Sequence, residues 1–265
     1  MQNQENIQLN IFINELIIFI IKKHDEGIKF DRIKQVIIQQ INQSAGELIK
    51  LLSHNQSRSQ YIWFLGIFYH YGIGIDKDNN KAFELFSKAA EDNYSMAQVY
   101  LAECYYYEYG TEKNYNLVFT YYQKSVENGS IIGQFYLGNC YEFGIGIGIN
   151  KLKAFEWYEK SAKHGNSNAQ NKLGIFYEKG IGIEKNLEKA FEWYEKSAKQ
   201  DHSYAQNSLG IFYEKGMGIE KNLEKAFEWY EKSAENGNKI AQYNLGCCYY
   251  KGGIGVEKDK VKESI

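Results

Sequence analysis

Apolar and polar positions along the chain recur with a period of 36 residues. The pattern is cleanest over 169–204, AQNKLGIFYEKGIGIEKNLEKAFEWYEKSAKQDHSY, and residues 205–240 nearly repeat it. The leading residue of the motif A/G-Q-x-x-L-A/G falls at Ala97, Gly133, Ala169, Ala205 and Ala241, with a degenerate copy from Tyr61. Each block carries two stripes of helical spacing. In the fourth block Leu173, Phe176 and Tyr177 lie three or four residues apart and share one helix face. They predict a helix A from about Asn168 to Lys179, stopped by Gly180-Ile181-Gly182, because glycine adopts the left-handed conformation of helix ends at little cost. A helix B follows from Asn186, a suitable N-cap, to about Lys199, with Ala190, Trp193, Tyr194 and Ala198 inward. Gly174 and Ala190 are small enough to let neighbouring elements approach. Gly-x-Gly recurs at Gly72/Gly74, Gly144/Gly146 and Gly216/Gly218; Glu108 replaces its first glycine in the second block, and one extra residue in the sixth places Gly255 a step late. A fixed period in this range predicts a helical solenoid.

The sixty residues before the array differ. Residues 5–24 predict one helix, stopped near Gly27. A second runs from Asp31, as N-cap, to Asn42, with Ile33, Val36, Ile37, Ile38 and Ile41 as its stripe; a third covers Ala45–Ser53 with Leu48, Leu51 and Leu52 on one face. Residues 54–60, HNQSRSQ, read as a linker. The expected organisation is an N-terminal helical cap over 1–60, shielding the apolar end of a stack, and an array over 61–265 of five full repeats and a truncated sixth. Aligning Gly218 with Gly255 puts Glu263 and Ser264 where Ala226 and Phe227 stand, so the last helix B begins without its apolar signature. That predicts either self-association or a partner at the incomplete C-terminal repeat, or a shortened form of a longer array. The apolar stretch Ile7–Ile21 is unbroken only over Leu16–Ile21, short of the about 20 residues a bilayer span needs, and MQNQEN carries no positive charge. It reads as a buried helix, and no membrane span is expected.

The motifs A-Q-x-x-L-G-x-x-Y, Y-x-x-G-x-G-I-x-K-N and K-A-F-E-W-Y-E-K-S-A, at 169–177, 177–186 and 189–198, resemble the Sel-one-like repeat family, solenoids close to the tetratricopeptide repeats. The resemblance covers about 61–265 and rests on fixed positions held in register across five or six copies. It implies an all-α, right-handed superhelix of helix pairs. Fungal proteins of this type often carry such arrays beside a protein-kinase domain, and the Ile/Leu-rich preface looks like the segment preceding the repeats there. Some bacterial members are associated with penicillin-binding or β-lactam-hydrolysing activity.

Composition narrows the function. With 31 basic and 33 acidic residues the net charge is −2, no electrostatic footprint for nucleic acid. The Gly-x-Gly loops lack a P-loop signature and a preceding strand, no kinase H-R-D or D-F-G occurs, and G-x-S-x-G and S-x-x-K are missing. Ser161 and Ser197 stand in S-x-K and read as packing residues. Cys104, Cys140 and Cys248 share one register slot with Phe68, Phe176 and Phe212, hence an apolar slot holding reduced thiols, which fits a cytosolic or nuclear protein, and a cytoplasmic location is expected. His24, His54, His70, His164 and His202 share no register and no metal spacing, and read as surface or loop residues. The Glu-Lys pairs, such as Glu178-Lys179 and Glu184-Lys185, read as solvated surface. No catalytic residue, metal or cofactor is expected, because near-identical repeats offer no unique cleft.

What does vary between blocks is aromatic. At helix A positions expected to face away from helix B, blocks one to three carry Trp63, Phe64, Ile67 and Tyr71, then Val99, Tyr100, Tyr106 and Tyr107, then Phe135, Tyr136 and Phe143. Blocks four and five carry Asn171, Lys172, Glu178 and Lys179, then Asn207, Ser208, Glu214 and Lys215; block six returns to Tyr243 and Tyr250. Aromatic residues concentrated on a concave face have the composition of a protein-binding hot spot. The expectation is a non-enzymatic scaffold or adaptor that binds a protein or peptide there through Trp63, Phe64, Tyr71, Tyr100, Tyr106, Tyr107, Phe135, Tyr136 and Phe143. A regulatory module of a kinase or membrane machinery is one alternative, in the same class, and a hydrolase of the β-lactamase-like kind, which the resemblance implies for some family members, is the other. The pattern equally fits rings buried because the N-terminal helices fold back over them, and alanine replacement of Trp63 or Tyr136 separates the two.

Overall fold

The computed structural model describes residues 2–28, 30–41 and 45–250, and among them every regular element is an α-helix. Three helices precede the repeats: α1 (Gln2–Asp25), α2 (Phe30–Ile41) and α3 (Ala45–His54). The A helices are α4 (Ser59–Tyr71), α6 (Ser95–Tyr107), α8 (Ile131–Phe143), α10 (Ser167–Lys179), α12 (Ser203–Lys215) and α14 (Lys239–Tyr250). The B helices are α5 (Asn79–Glu91), α7 (Tyr115–Glu127), α9 (Lys151–Lys163), α11 (Leu187–Ala198) and α13 (Leu223–Glu235). This is the expected all-α solenoid of helix-turn-helix repeats. The chain divides within α9 into two units, Met1–Trp157 and Tyr158–Ile265. In the first, α4 to α8 pack each on the next; in the second, α10 to α14 do so.

Local chemistry explains why each block breaks where it does. Asp78, Asn114, Asn186 and Asn222 cap the B helices, each side chain accepting from the backbone N–H three residues on. Such a cap contributes about 1 kcal/mol. The A helices end on a left-handed residue at Gly72, Gly144, Gly180 and Gly216. Glu108 takes that conformation too, at φ 62°, where a side chain is strained. In the third and fifth repeats the second glycine of the loop serves stacking: a Cβ on Gly146 would collide with the Tyr115 carbonyl, and one on Gly218 with the Leu187 backbone. In helix A, Gly174 and Gly210 lie flat against the rings of Tyr194 and Tyr230.

The motif glutamine is a latch. Gln98, Gln170 and Gln206 are buried, and their side-chain amides donate to the carbonyls of Ala90, Ala162 and Ala198. Their carbonyl oxygens accept from Asn128, Gln200 and Asn236, just past the B helix of the same repeat, whereas Ala90, Ala162 and Ala198 belong to the preceding one. Ser161 and Ser197 are buried, and the Ser197 hydroxyl donates to the Ser167 carbonyl at 2.8 Å, a structural role. In the fourth block Leu173, Phe176, Ala190, Tyr194 and Ala198 are buried, while Tyr177 and Trp193 are half-buried.

Several expectations change. α2 starts at Phe30, so Asp31 stands in its first turn instead of capping it; Phe30 is drawn into the helix by its burial in the core. His70 is buried, and His24 is half-buried with a hydrogen bond to Tyr100, so neither is a surface histidine. Glu178 is half-buried and accepts from the Tyr194 hydroxyl at 2.6 Å, so it is not simply solvated. Gly255, Glu263 and Ser264, and with them the part of the sixth repeat after Tyr250, lie outside the described residues.

Candidate functional site

α1 lies along the A helices of the first three repeats, and its contacts set what remains accessible. Near its start, Asn10 and Asn14 accept from Tyr61 and Gln60 of α4, each at 3.0 Å. Near its end, His24 meets the Tyr100 hydroxyl of α6 at 2.8 Å, and the Asp25 carboxylate accepts from the Ile132 N–H of α8 at 3.1 Å. That last contact caps an otherwise unpaired donor in the first turn of α8. α2 adds Phe30, stacked on Tyr71 with centroids 3.9 Å apart, and Lys34, which donates to the Tyr71 carbonyl. Ile13, Leu16, Ile17 and Ile20 of α1 are buried in the same core as the repeat aromatics.

The nine aromatic residues proposed from sequence therefore divide. Trp63 and Phe64 are 0 % exposed and Tyr100 is 2 % exposed. The expectation of an accessible surface is corrected for these three, because the N-terminal helices and neighbouring rings enclose them. Trp63 packs edge-on to Tyr94 and Tyr100, at 5.7 and 5.8 Å. Tyr71 and Phe135 are half-buried, Tyr71 beneath Phe30 and Phe135 tilted against Tyr136. The other four, Tyr106, Tyr107, Tyr136 and Phe143, come together around a cavity of about 150 Å³. Tyr107 and Phe143 stand at its mouth, each 56 % exposed.

Glu103, Tyr122, Asn139, Cys140 and Ile145 complete the lining. The rings are ordered against one another: Tyr122 stacks on Tyr136 at 4.9 Å and 15°, and Tyr106 meets Tyr107 edge-on at 4.7 Å. Glu103 is held among them, its carboxyl hydrogen-bonded to the Tyr136 hydroxyl. Burial pushes its pKa up to about 7, and the Tyr136 hydrogen bond only partly opposes that. Desolvation by the surrounding rings also raises the Tyr122 and Tyr136 hydroxyls far above their usual range, and the Cys140 thiol is pushed up to about 12. A thiol so placed stays protonated and is no nucleophile.

Glu103 was not singled out from sequence, although its register gives it away. The same slot holds Ile67, Ile175 and Ile211 in other repeats, and Asn139 in the third. An acid and an amide, one repeat apart in a slot otherwise held by isoleucine or, in the sixth repeat, by Cys247, mark two helices that line the cavity. Among the described residues no group of three or more His, Cys, Asp or Glu side chains is placed to hold a metal ion, and no helix is long and apolar enough to cross a membrane.

Comparison with known proteins fits this architecture. The family model for the Sel1 repeat matches six consecutive segments, 59–94, 95–130, 131–166, 167–202, 203–238 and 239–262. No protein of curated function matches the sequence. Among solved structures, c5321, a protective antigen of uropathogenic Escherichia coli displaying an SLR fold, is 37% identical with a TM-score of 0.69; the match covers 81% of this chain and 47% of that one. The chain thus spans about half the length of that antigen. A Sel1 repeat protein from Oxalobacter formigenes is 28% identical with a TM-score of 0.77, over 85% of this chain and 94% of that one.

Proposed function

The chain belongs to the Sel1 repeat family, whose members are generally protein-interaction scaffolds, and on that premise we propose that it binds a partner protein or peptide at the tyrosine-lined cavity of repeats two and three. The observation that carries this is the pair of exposed rings at the cavity mouth, Tyr107 and Phe143. At the same register the fourth and fifth repeats hold Lys179 and Lys215, both exposed, and the first holds Tyr71, stacked against Phe30, so the exposed rings at this register are those of α6 and α8. Large amphipathic rings beside a preformed concavity are typical binding anchors. The binding surface in this reading is smaller than the nine-residue strip and consists of Tyr106, Tyr107, Tyr136 and Phe143. The buried thiols Cys104 and Cys140 favour a reducing compartment, in keeping with a cytoplasmic location.

The test is affinity capture from native lysate with the wild-type chain beside a Tyr107→Ala/Phe143→Ala variant. Both residues are more than half exposed, so circular dichroism is expected to show unchanged folding. A partner retained by the wild type and lost by the variant supports the site. Identical partner sets overturn it.

A further inference from the structure

We propose that the cavity between α6, α7 and α8 is a receptor for an alkylammonium group, with Glu103 as its counter-charge and Tyr106, Tyr107, Tyr122, Tyr136 and Phe143 as its walls. The proposal rests on the binding site argued above and names the chemistry that the site selects.

Aromatic faces carry negative electrostatic potential and attract cations, most strongly where water is excluded. Here five rings surround one space, and its about 150 Å³ is far more than the roughly 10–15 Å³ that a single water requires. A lone carboxyl stands among the rings, in a slot that is isoleucine in three other repeats. Its partner is the Tyr136 hydroxyl, and among the described residues no lysine or arginine ion-pairs with it. Burying an acid without a cation is costly, and an anionic ligand would add to that cost. A cation entering the cavity removes it. The rim already practises this chemistry within the chain: the Lys151 ammonium lies 5.7 Å from the Phe143 ring centroid while donating to the Glu142 carbonyl.

The charge state follows. With its pKa near 7, Glu103 is about half protonated in the empty cavity at neutral pH. The titratable groups facing it are Tyr71 of α4, Tyr100, Cys104 and Tyr107 of α6, Tyr122 of α7 and Tyr136 of α8. All are raised, so all stay neutral below pH 9. A bound cation draws the proton from Glu103, and binding releases protons and strengthens as pH rises through 7.

The experiment is titration calorimetry of the full chain with choline, with its neutral carbon isostere dimethylbutanol, and with N-acetyl-lysine methylamide, at pH 6 and pH 8. Glu103→Gln keeps the shape and removes the charge, relieving a buried acid, so it folds. The expected result is choline binding that is tighter at pH 8, at least about tenfold weaker in Glu103→Gln, and accompanied at pH 6 by proton release that the variant lacks. Tighter binding of the lysine amide than of choline assigns the group to a partner's side chain, and the reverse assigns it to a free quaternary amine; both support the receptor. Equal binding of dimethylbutanol, no binding of either cation, or binding unchanged by Glu103→Gln overturns it. The capture result for Tyr107→Ala/Phe143→Ala is independent: a partner lost there with no ammonium binding leaves the scaffold site standing without this chemistry.

Discussion

Replacing Trp63 decides whether the aromatic strip of the first repeat is a surface or a core. Its indole is 0 % exposed and lies between Phe64, Tyr94 and Tyr100. Truncation of such a ring to alanine costs about 3–5 kcal/mol, counting both lost burial and the cavity left behind. In a unit of this size that lowers the melting temperature by roughly 10 °C. Phenylalanine is the informative control. The indole N–H of Trp63 is buried without an acceptor among the described residues, and an unsatisfied donor of this kind costs about 1–3 kcal/mol. Trp63→Phe removes that donor while forfeiting only about 1 kcal/mol of buried area, so the two effects nearly cancel. Far-UV circular dichroism during thermal and urea unfolding of the two variants reads the difference. A Trp63→Ala protein that melts with the wild type would refute the burial argument and with it the placement of α1. A Trp63→Phe protein as unstable as Trp63→Ala would refute the role given to the orphaned N–H.

Three further outcomes follow from named contacts. Glu103→Gln is expected to stabilise the chain by about 1–2 kcal/mol at pH 8, the full shift being discounted because the side chain is only partly buried, and to have no effect at pH 4.5. The native state holds the Glu103 proton more tightly than the unfolded chain, so wild-type stability is lost as pH rises from the ordinary carboxyl value through about 7. His24 and His70 act with the opposite sign over an overlapping range: lowered to about 4 by burial, they cost stability as pH falls from 6.5 through 4, so the Glu103 part is read as the difference in urea midpoint between wild type and Glu103→Gln across pH 4–8. Glu108→Gly is expected to raise stability by about 0.5–1 kcal/mol in urea titrations, since it relieves a left-handed side chain at the expense of an exposed ion pair with Lys113. Gly146→Ala is expected to cost more than about 2 kcal/mol, because positive φ and the Tyr115 carbonyl both exclude a Cβ.

Periodicity made the repeat readable because the same physical task recurs in each copy. Asn186 caps, Gly180 turns and Gln170 latches, and each has equivalents one period away, so the pattern alone located them within a residue or two. The site was less legible because it is made by departures from the pattern. Trp63 and Tyr107 have the same aromatic character in sequence, yet one is sealed under neighbouring rings and the other is open. What separates them is the path of α1, whose residues share no period with the array. Glu103 was less legible because its slot carries Ile67 in the first repeat and no aromatic ring in any, so the acid is a single departure that the aromatic pattern does not flag. His24 and His70 fell outside any register for the same reason, and their burial depends on tertiary neighbours that spacing does not encode.

The length of α1 accounts for where the aromatic character is needed. Its 24 residues rise about 36 Å at 1.5 Å each, enough to cross three A helices packed at about 10 Å spacing. Its contacts keep that order, with Asn10 and Asn14 on α4, His24 on α6 and Asp25 on α8. A helix laid across the repeats requires apolar rings beneath it, and the first repeats supply Trp63, Phe64 and Tyr100. From the fourth repeat the same positions are Lys172 and Ser208, which would be poor partners for an Ile-rich helix. The Asp25 contact to α8 falls at the third repeat, the helix whose outer rings, Tyr136 and Phe143, line the cavity instead of α1. The N-terminal helix thus takes up the inner positions of this aromatic face and leaves the rings at its outer end, Tyr107 and Phe143, exposed beside the Glu103 slot.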